Sequence, residues 1–157
     1  MPKASTVHLV PLRWAEDRPV LSEHLAEYWR DLGARPDPEW HRAYLERLEQ
    51  EDGRGRNAFW GQQGTSRVGL VVLRLDRDWV RPELRIGYVA EFTVFRPWRR
   101  RGLGRQMFAA AAQWLRGHDC ALIELDVLAT NATGMAFWRA MGFATAYHHL
   151  RLESGRG

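Results

Sequence analysis

The sequence predicts an α/β or α+β fold built as a single layer-packed domain over residues 1–157. Three observations carry this. The elements read in the order strand, two helices, three strands, helix, strand, helix, strand. At 157 residues, with 45% hydrophobic and 27% charged side chains, the chain can bury an ordinary core without disulfides or metals. No internal repeat, low-complexity segment or linker divides it.

Val7 to Leu12 is a short apolar segment, read as the first strand. From about Asp17 to Leu32, the residues Leu21, Leu25, Tyr28, Trp29 and Leu32 share one helical face. The run "GARPDP" then disfavours further helix. A second amphipathic helix follows, with Trp40, Tyr44, Leu45 and Leu48 on its inner side. After the loop "EDGRGRN", Ala58–Gln62 and Val68–Leu75 read as antiparallel strands around the turn "QQGTS". A polar excursion, "DRDWVRPE", leads into a longer strand from about Leu84 to Phe95.

The second half is more regular. A helix from about Gly104 to Arg116 places Leu103, Met107, Ala111, Trp114 and Leu115 on one face. Ala121–Leu128 is an aliphatic strand. Thr133–Met141 is a short helix closed by Gly142 in a C-cap position. Phe143–Leu152 reads as a final strand or strand pair. The aromatic residues Tyr28, Trp29, Trp40, Tyr44, Trp60 and Trp79 are read chiefly as core.

Composition excludes several functions. The lone cysteine, Cys120, leaves no disulfide framework and fits a reducing compartment. No apolar run approaches the roughly 18 residues of a membrane span, and the first residues lack the long apolar segment of a signal peptide. A cytoplasmic location and no membrane partner are therefore expected. The six histidines show no metal-ligand spacing, so no metal is expected. A G-x-S-x-G nucleophile elbow is missing.

One stretch stands out: "FRPWRRRGLGRQM", Phe95 to Met107, with five arginines around two glycines. A net charge of +4 is compatible with anionic ligands but names none. A nucleic-acid surface would need further basic or aromatic-interleaved stripes. Carboxylates are nearly as numerous as basic residues, 19 against 23. Nucleic acid is accordingly not expected as a partner. The alternative reading is a phosphate cradle between a strand and a helix. The first N–H groups of a helix lack intrahelical partners, and glycines let a pyrophosphate approach the backbone. The three-glycine dinucleotide spacing and the P-loop Gly-Lys-Ser/Thr are both absent. The cradle falls to Arg99 and to the backbone of Arg100, Arg101, Gly102, Leu103, Gly104 and Arg105, with the Arg96 and Arg105 side chains read as surface.

Glu91 lies mid-strand in "GYVAEFTVF", where a carboxylate needs a reason. Alternation puts Val89, Glu91 and Thr93 on one face. The side chain pairs with an arginine such as Arg85, fills a polar position in a partly wet groove, or acts as a general base. An alkyl amine with a pKa near 10 is almost wholly protonated at neutral pH, so a base would be useful to one. Asn131 precedes a helix in an N-cap position. Trp138 reads as packing at helical spacing with Met135 and Met141.

These motifs resemble the GNAT superfamily of acyl-CoA N-acyltransferases. Arg99-Arg100-Arg101-Gly102-Leu103-Gly104 is similar to that family's Q/R-x-x-G-x-G/A loop, and "EFTV" to the end of its central strand. "DVLATNATGMAFWRAMGF", Asp126 to Phe143, is similar to its V-x-x-x-N block, short helix and Gly-Phe. The resemblance covers about Tyr88 to Phe143. It implies a mixed, mostly antiparallel central sheet flanked by helices and splayed at the coenzyme site. It implies acetyl-CoA as co-substrate, a primary amine as acceptor, either a small amine or a protein N-terminus or lysine, and direct attack in a ternary complex by a monomer or homodimer. By the same resemblance Glu91 is the base, and the Phe92 and Val94 backbone pairs with the pantetheine arm. The loop grips the pyrophosphate, Asn131 contacts the coenzyme, and Trp138 supplies a wall contact. Trp138 is also a departure, because the family often has tyrosine there to protonate the thiolate, and an indole cannot do so. A thiol pKa near 8.5 lets thiolate leave unaided, with water or Tyr147 as substitutes. The other class of function is a non-catalytic acyl-CoA sensor.

Overall fold

The structure, a computed structural model, describes residues 6–155. Within it the chain forms two compact units, one up to Asp126 and one from Val127. The first unit is a five-stranded sheet in the order β1 (His8–Pro11), β2 (Arg56–Gln63), β3 (Ser66–Arg77), β4 (Arg85–Val94) and β5 (Cys120–Glu124). The first four strands pair antiparallel, and β4 runs parallel to β5. Helices α1 (Trp14–Asp31), α2 (Pro38–Glu51) and α3 (Leu103–Gly117) belong to the same unit. Helix α4 (Ala132–Ala140) belongs to the second. The mixed, mostly antiparallel sheet flanked by helices is the architecture expected.

Leucine spacing explains the α1 and α2 face. Leu21 and Leu25 of α1, with Leu45 and Leu48 of α2, bury against Ala58, Trp60, Leu70, Val72 and Phe95. Each leucine so buried contributes roughly 1.5–3 kcal/mol. Asp37 starts α2 by accepting from the Glu39 and Trp40 N–H groups at 2.8 and 3.2 Å.

Helix α3 covers the opposite face, and glycines set how closely it sits. A Cβ at Gly61 would stand 2.4 Å from Met107 Sδ, and one at Gly87 would stand 2.7 Å from Leu115 Cδ2. At Gly69 it would stand 2.4 Å from the Thr93 carbonyl oxygen and 2.7 Å from Met107 Sδ. Backbone cannot yield as a side chain can. Gly69→Ala is therefore expected to destabilise the protein by about 1–3 kcal/mol. The measurement is a lowered urea midpoint at unchanged slope; an unshifted midpoint contradicts this account of the packing.

The sheet departs from sequence expectation in β4. Val72 pairs with Glu91, yet Leu73 pairs with Val89, so Ala90 is an extra residue in a β-bulge. Simple alternation put Val89 and Glu91 on one face. The bulge separates them: Val89 shares the α3 face with Gly87, while Ala90 and Glu91 both turn toward α1 and α2. Ala90 packs against that core.

Two other expectations are corrected. Phe143–Leu152 forms no strand among the described residues, and Leu150 and Leu152 are exposed. Alternating apolar residues make a segment able to pair, but a strand needs a partner ladder as well. Trp79, read as core, is 98% exposed. It lies at the tip of the β3–β4 hairpin, where Asp78 accepts from the Val80 and Arg81 N–H groups at 3.0 and 2.7 Å. That turn carries the indole beyond the sheet.

Candidate active site

Because of the bulge, Glu91 faces the two helices rather than α3. Tyr28 continues the Leu21–Leu25 stripe of α1, and Tyr44 lies four residues before Leu48 on α2. Both tyrosine rings pack against the core, and both hydroxyls reach the carboxylate. Tyr44 donates to Glu91 Oε1 at 3.0 Å, and Tyr28 also donates to Glu91. Burial pushes the Glu91 carboxyl above its ordinary value; the two phenol hydrogen bonds and the charge of Arg56 oppose this without cancelling it. Burial, then the Glu91 charge, raises both phenols, so they remain protonated donors. The alternative partner from sequence, Arg85, instead donates to the His118 carbonyl at 3.1 Å.

Sequence reasoning assigned Tyr28 and Tyr44 to the core and missed their hydroxyls. The available signal was two tyrosines, each with a polar tip, on the inner faces of consecutive helices, opposite a strand that carries one carboxylate.

Beside Glu91 the sheet opens. Pairing of β4 with β5 runs from Arg85–Cys120 to Tyr88–Glu124 and stops, while β4 continues to Val94. At the fork the Tyr88 hydroxyl donates to Asp126 Oδ2 at 2.6 Å. Burial, then that bond and its charge, pushes the phenol up to about 12. The Phe95 N–H bonds the Val68 carbonyl at 2.9 Å, which fixes the phase of the antiparallel ladder. Glu91 and Thr93 then direct their backbone polar groups to β3, and Phe92 and Val94 direct theirs to the open side. A backbone hydrogen bond from Phe92 reaches the Tyr28 hydroxyl. The Val94 carbonyl accepts from Arg99 Nε at 2.7 Å.

The strand leads through a 3-10 turn, Arg96–Trp98, into the arginine–glycine loop. Arg100 and Gly102 both adopt left-handed backbone, at φ 60° and 74°. For glycine this is free, but for arginine it costs about 1–2 kcal/mol, a strain that concentrates at functional turns. Gly102 is the N-cap of α3 and offers no side-chain acceptor. The first helical bond runs from the Gln106 N–H to the Gly102 carbonyl at 3.4 Å. The Leu103, Gly104 and Arg105 N–H groups therefore lie ahead of any intrahelical acceptor. Such a turn at a helix start binds phosphate oxygens, and the open side of β4 suits an extended amide-bearing arm.

The arginines divide their work. Arg96 pairs with Glu27 at 2.9 Å and Asp31 at 2.5 Å; Arg99 pairs with Asp31 at 2.7 Å. Burial alone would raise the Asp31 carboxyl, but these two guanidiniums hold it below its ordinary value. Both arginines thus tie the loop to the end of α1. Arg101 stacks over the Trp98 ring at 5.4 Å. The Arg100 and Arg105 side chains are exposed.

In the second unit, Asn131 caps α4, its Oδ1 accepting from the Gly134 N–H at 2.9 Å. Trp138 is buried, with Phe137 and Phe143 rings at 4.8 and 5.4 Å. Tyr147 is 77% exposed. Among the described residues, no group of His, Cys, Asp or Glu is arranged to hold a metal ion, and no helix is long and apolar enough to cross a membrane.

A model of the acetyltransferase (GNAT) family matches residues 19–143. The chain belongs to that family. It is an acyltransferase, of a family that uses acetyl-CoA. Solved structures agree at the level of fold. One is a ribosomal-protein-alanine N-acetyltransferase from Brucella melitensis biovar Abortus 2308, 20% identical, with a TM-score of 0.76 over 94% of this chain and 99% of that one. Another is a possible acetyltransferase from Clostridium difficile 630, 12% identical, with a TM-score of 0.79 over 97% and 99%. A third is the aminoglycoside N-acetyltransferase AAC(6')-Iy in complex with CoA, 18% identical, with a TM-score of 0.73 over 98% of each chain. No curated protein matches the sequence significantly.

Proposed function

We propose that this acetyltransferase moves the acetyl group of acetyl-CoA to a primary amine by direct attack within a ternary complex. The observation that carries the reading is Glu91, a carboxylate of raised pKa on the helix face of β4, held by two phenols where β4 parts from β5. Acetyl-CoA supplies an activated acyl group on a sulfur able to leave as thiolate. The chain's own residues do the rest. The loop backbone from Arg100 to Arg105 binds the pyrophosphate, and the open side of β4 at Phe92 and Val94 orients the pantetheine arm. Arg99 enters by fixing that loop to Asp31. Asn131 and Trp138 enter the reading through the family motif alone.

In the step itself the amine nitrogen bonds to the thioester carbonyl carbon and the carbon–sulfur bond breaks. The amine's proton goes to Glu91, directly or through water, and the sulfur leaves with the bonding pair. Most of the acceleration comes from orientation and from hydrogen bonding to the developing oxyanion.

The test is acceptor-dependent thiol release from acetyl-CoA over a panel of amines between neutral pH and about pH 9, where alkyl amines begin to deprotonate. Release that rises with acceptor concentration is expected. Tight acetyl-CoA binding with no release for any amine would assign the protein to the sensor class instead.

A further inference from the structure

The end of α2 presents Tyr44, Arg47, Leu48 and Glu51, at spacings of three, four and seven residues, on one helical face. With Arg56, the first residue of β2, these side chains line a small cavity of about 120 Å³. Its position relative to Glu91 follows from the sheet. Ala58, Val72 and Glu91 form one cross-strand row, and Arg56 lies on the same face two residues before Ala58. Tyr44 joins the two places, because it lines the cavity and its hydroxyl donates to Glu91.

The charges in the cavity are not balanced among themselves. Glu51 Oε2 accepts from Arg56 Nε at 3.2 Å, which accounts for one carboxylate and one guanidinium. Arg47 makes no ion pair among the described residues. Two guanidiniums directed at a space of this size leave a net positive site. A carboxylate, with two coplanar oxygens, meets such donors well. Glu91 is the complementary feature on the same sheet face, a negative group suited to an amine.

We infer that the acceptor is an amino-carboxylate, whose acid group is held by Arg47 and Arg56 while its amine stands at Glu91. This rests on the reading of Glu91 as the group that faces the acceptor amine. Electrostatic complementarity of this kind acts chiefly through selection: an amine lacking the acid leaves the guanidiniums unpaired, and a diamine places a like charge against them.

The experiment compares short ω-amino acids with alkylamines of matched chain length, in which a methyl group replaces the carboxylate, using thiol release from acetyl-CoA by the full chain. The amino acids are expected to have kcat/KM at least tenfold higher. Arg47 is exposed on its helix, so Arg47→Gln should fold normally. It should raise KM for the amino acids about tenfold while leaving their kcat, and both constants for the alkylamines, little changed. Equal use of amino acids and alkylamines, or an Arg47→Gln variant that weakens both alike, overturns the carboxylate subsite and leaves acetyl transfer to amines standing. Absence of thiol release with every acceptor overturns both readings.

Discussion

Glutamine in place of Glu91 is expected to lower kcat/KM about 100-fold, the scale of a lost general base. The substitution keeps the shape of the side chain and an oxygen that can accept from Tyr44 and Tyr28, but removes the basic site. Its pH signature separates catalysis from structure. The Glu91 carboxyl is raised by burial above its ordinary value of 4.5, so wild-type activity should fall on the acid side with a midpoint above that value. E91Q should lose this limb and keep the rise toward high pH that comes from the amine itself. Stability should move oppositely. A carboxyl with a raised folded pKa stabilises the fold while protonated and loses that contribution as pH rises through the folded value. E91Q lacks that loss and should unfold no more easily than wild type near neutrality. Unchanged activity and an unchanged acid limb in E91Q would remove Glu91 from the chemistry and leave it a structural acceptor for two tyrosines.

What was legible in the sequence follows from which interactions are local. The leucine stripes of α1 and α2 and the apolar face of α3 appear as helical periodicity, and each helix forms close to its expected bounds. The glycine loop was legible for the same reason: a strand end, a left-handed glycine and a helix start are neighbours in the chain. The bulge at Ala90 was not, since it is a register shift between β3 and β4, and nothing in "GYVAEF" marks the extra residue. That one residue decides which helices Glu91 meets, so the Tyr28 and Tyr44 hydroxyls were invisible as well. The missing strand after Phe143 has a related cause. Alternation records what a segment can do, whereas pairing depends on another part of the fold. The arginines show a third limit. Arg96 and Arg99 looked like members of one basic run, but each found a carboxylate on α1, more than sixty residues away in sequence.

The larger stability effect is expected at Asp17, which is 2% exposed and shares the sheet face of the candidate site. One oxygen accepts from the Arg13 N–H and from Trp60 Nε1, each at 2.8 Å; the other accepts from Arg67 at 2.5 Å. Arg67 in turn lies over the Trp60 ring at 4.6 Å. Asp17→Ala strands a buried indole N–H, the start of α1 and a partly covered guanidinium at once. Breaking a buried pair from one side costs about 3–5 kcal/mol, a large part of the 5–15 kcal/mol typical of a folded domain. The consequence reaches the loop, because Trp60 meets Phe95 edge-on at 6.1 Å and His24, stacked on Phe95 at 3.6 Å, bridges them from α1. Phe95 is the residue from which the arginine–glycine loop departs, so D17A should weaken acetyl-CoA binding as it lowers the midpoint of unfolding. Combining it with Arg67→Ala should cost less than the two separate losses together, since the guanidinium is then no longer left unpaired. The pH dependence fixes the sign. Burial alone would raise the Asp17 carboxyl, but its three donors and the Arg67 charge hold it below the ordinary 3.8. Its contribution is therefore present above that value and lost as pH falls through the lower folded value. Wild type and D17A should differ most at neutral pH and converge in acid; a gap that persists unchanged at low pH would mean that lost packing, and not the ionised network, sets the cost.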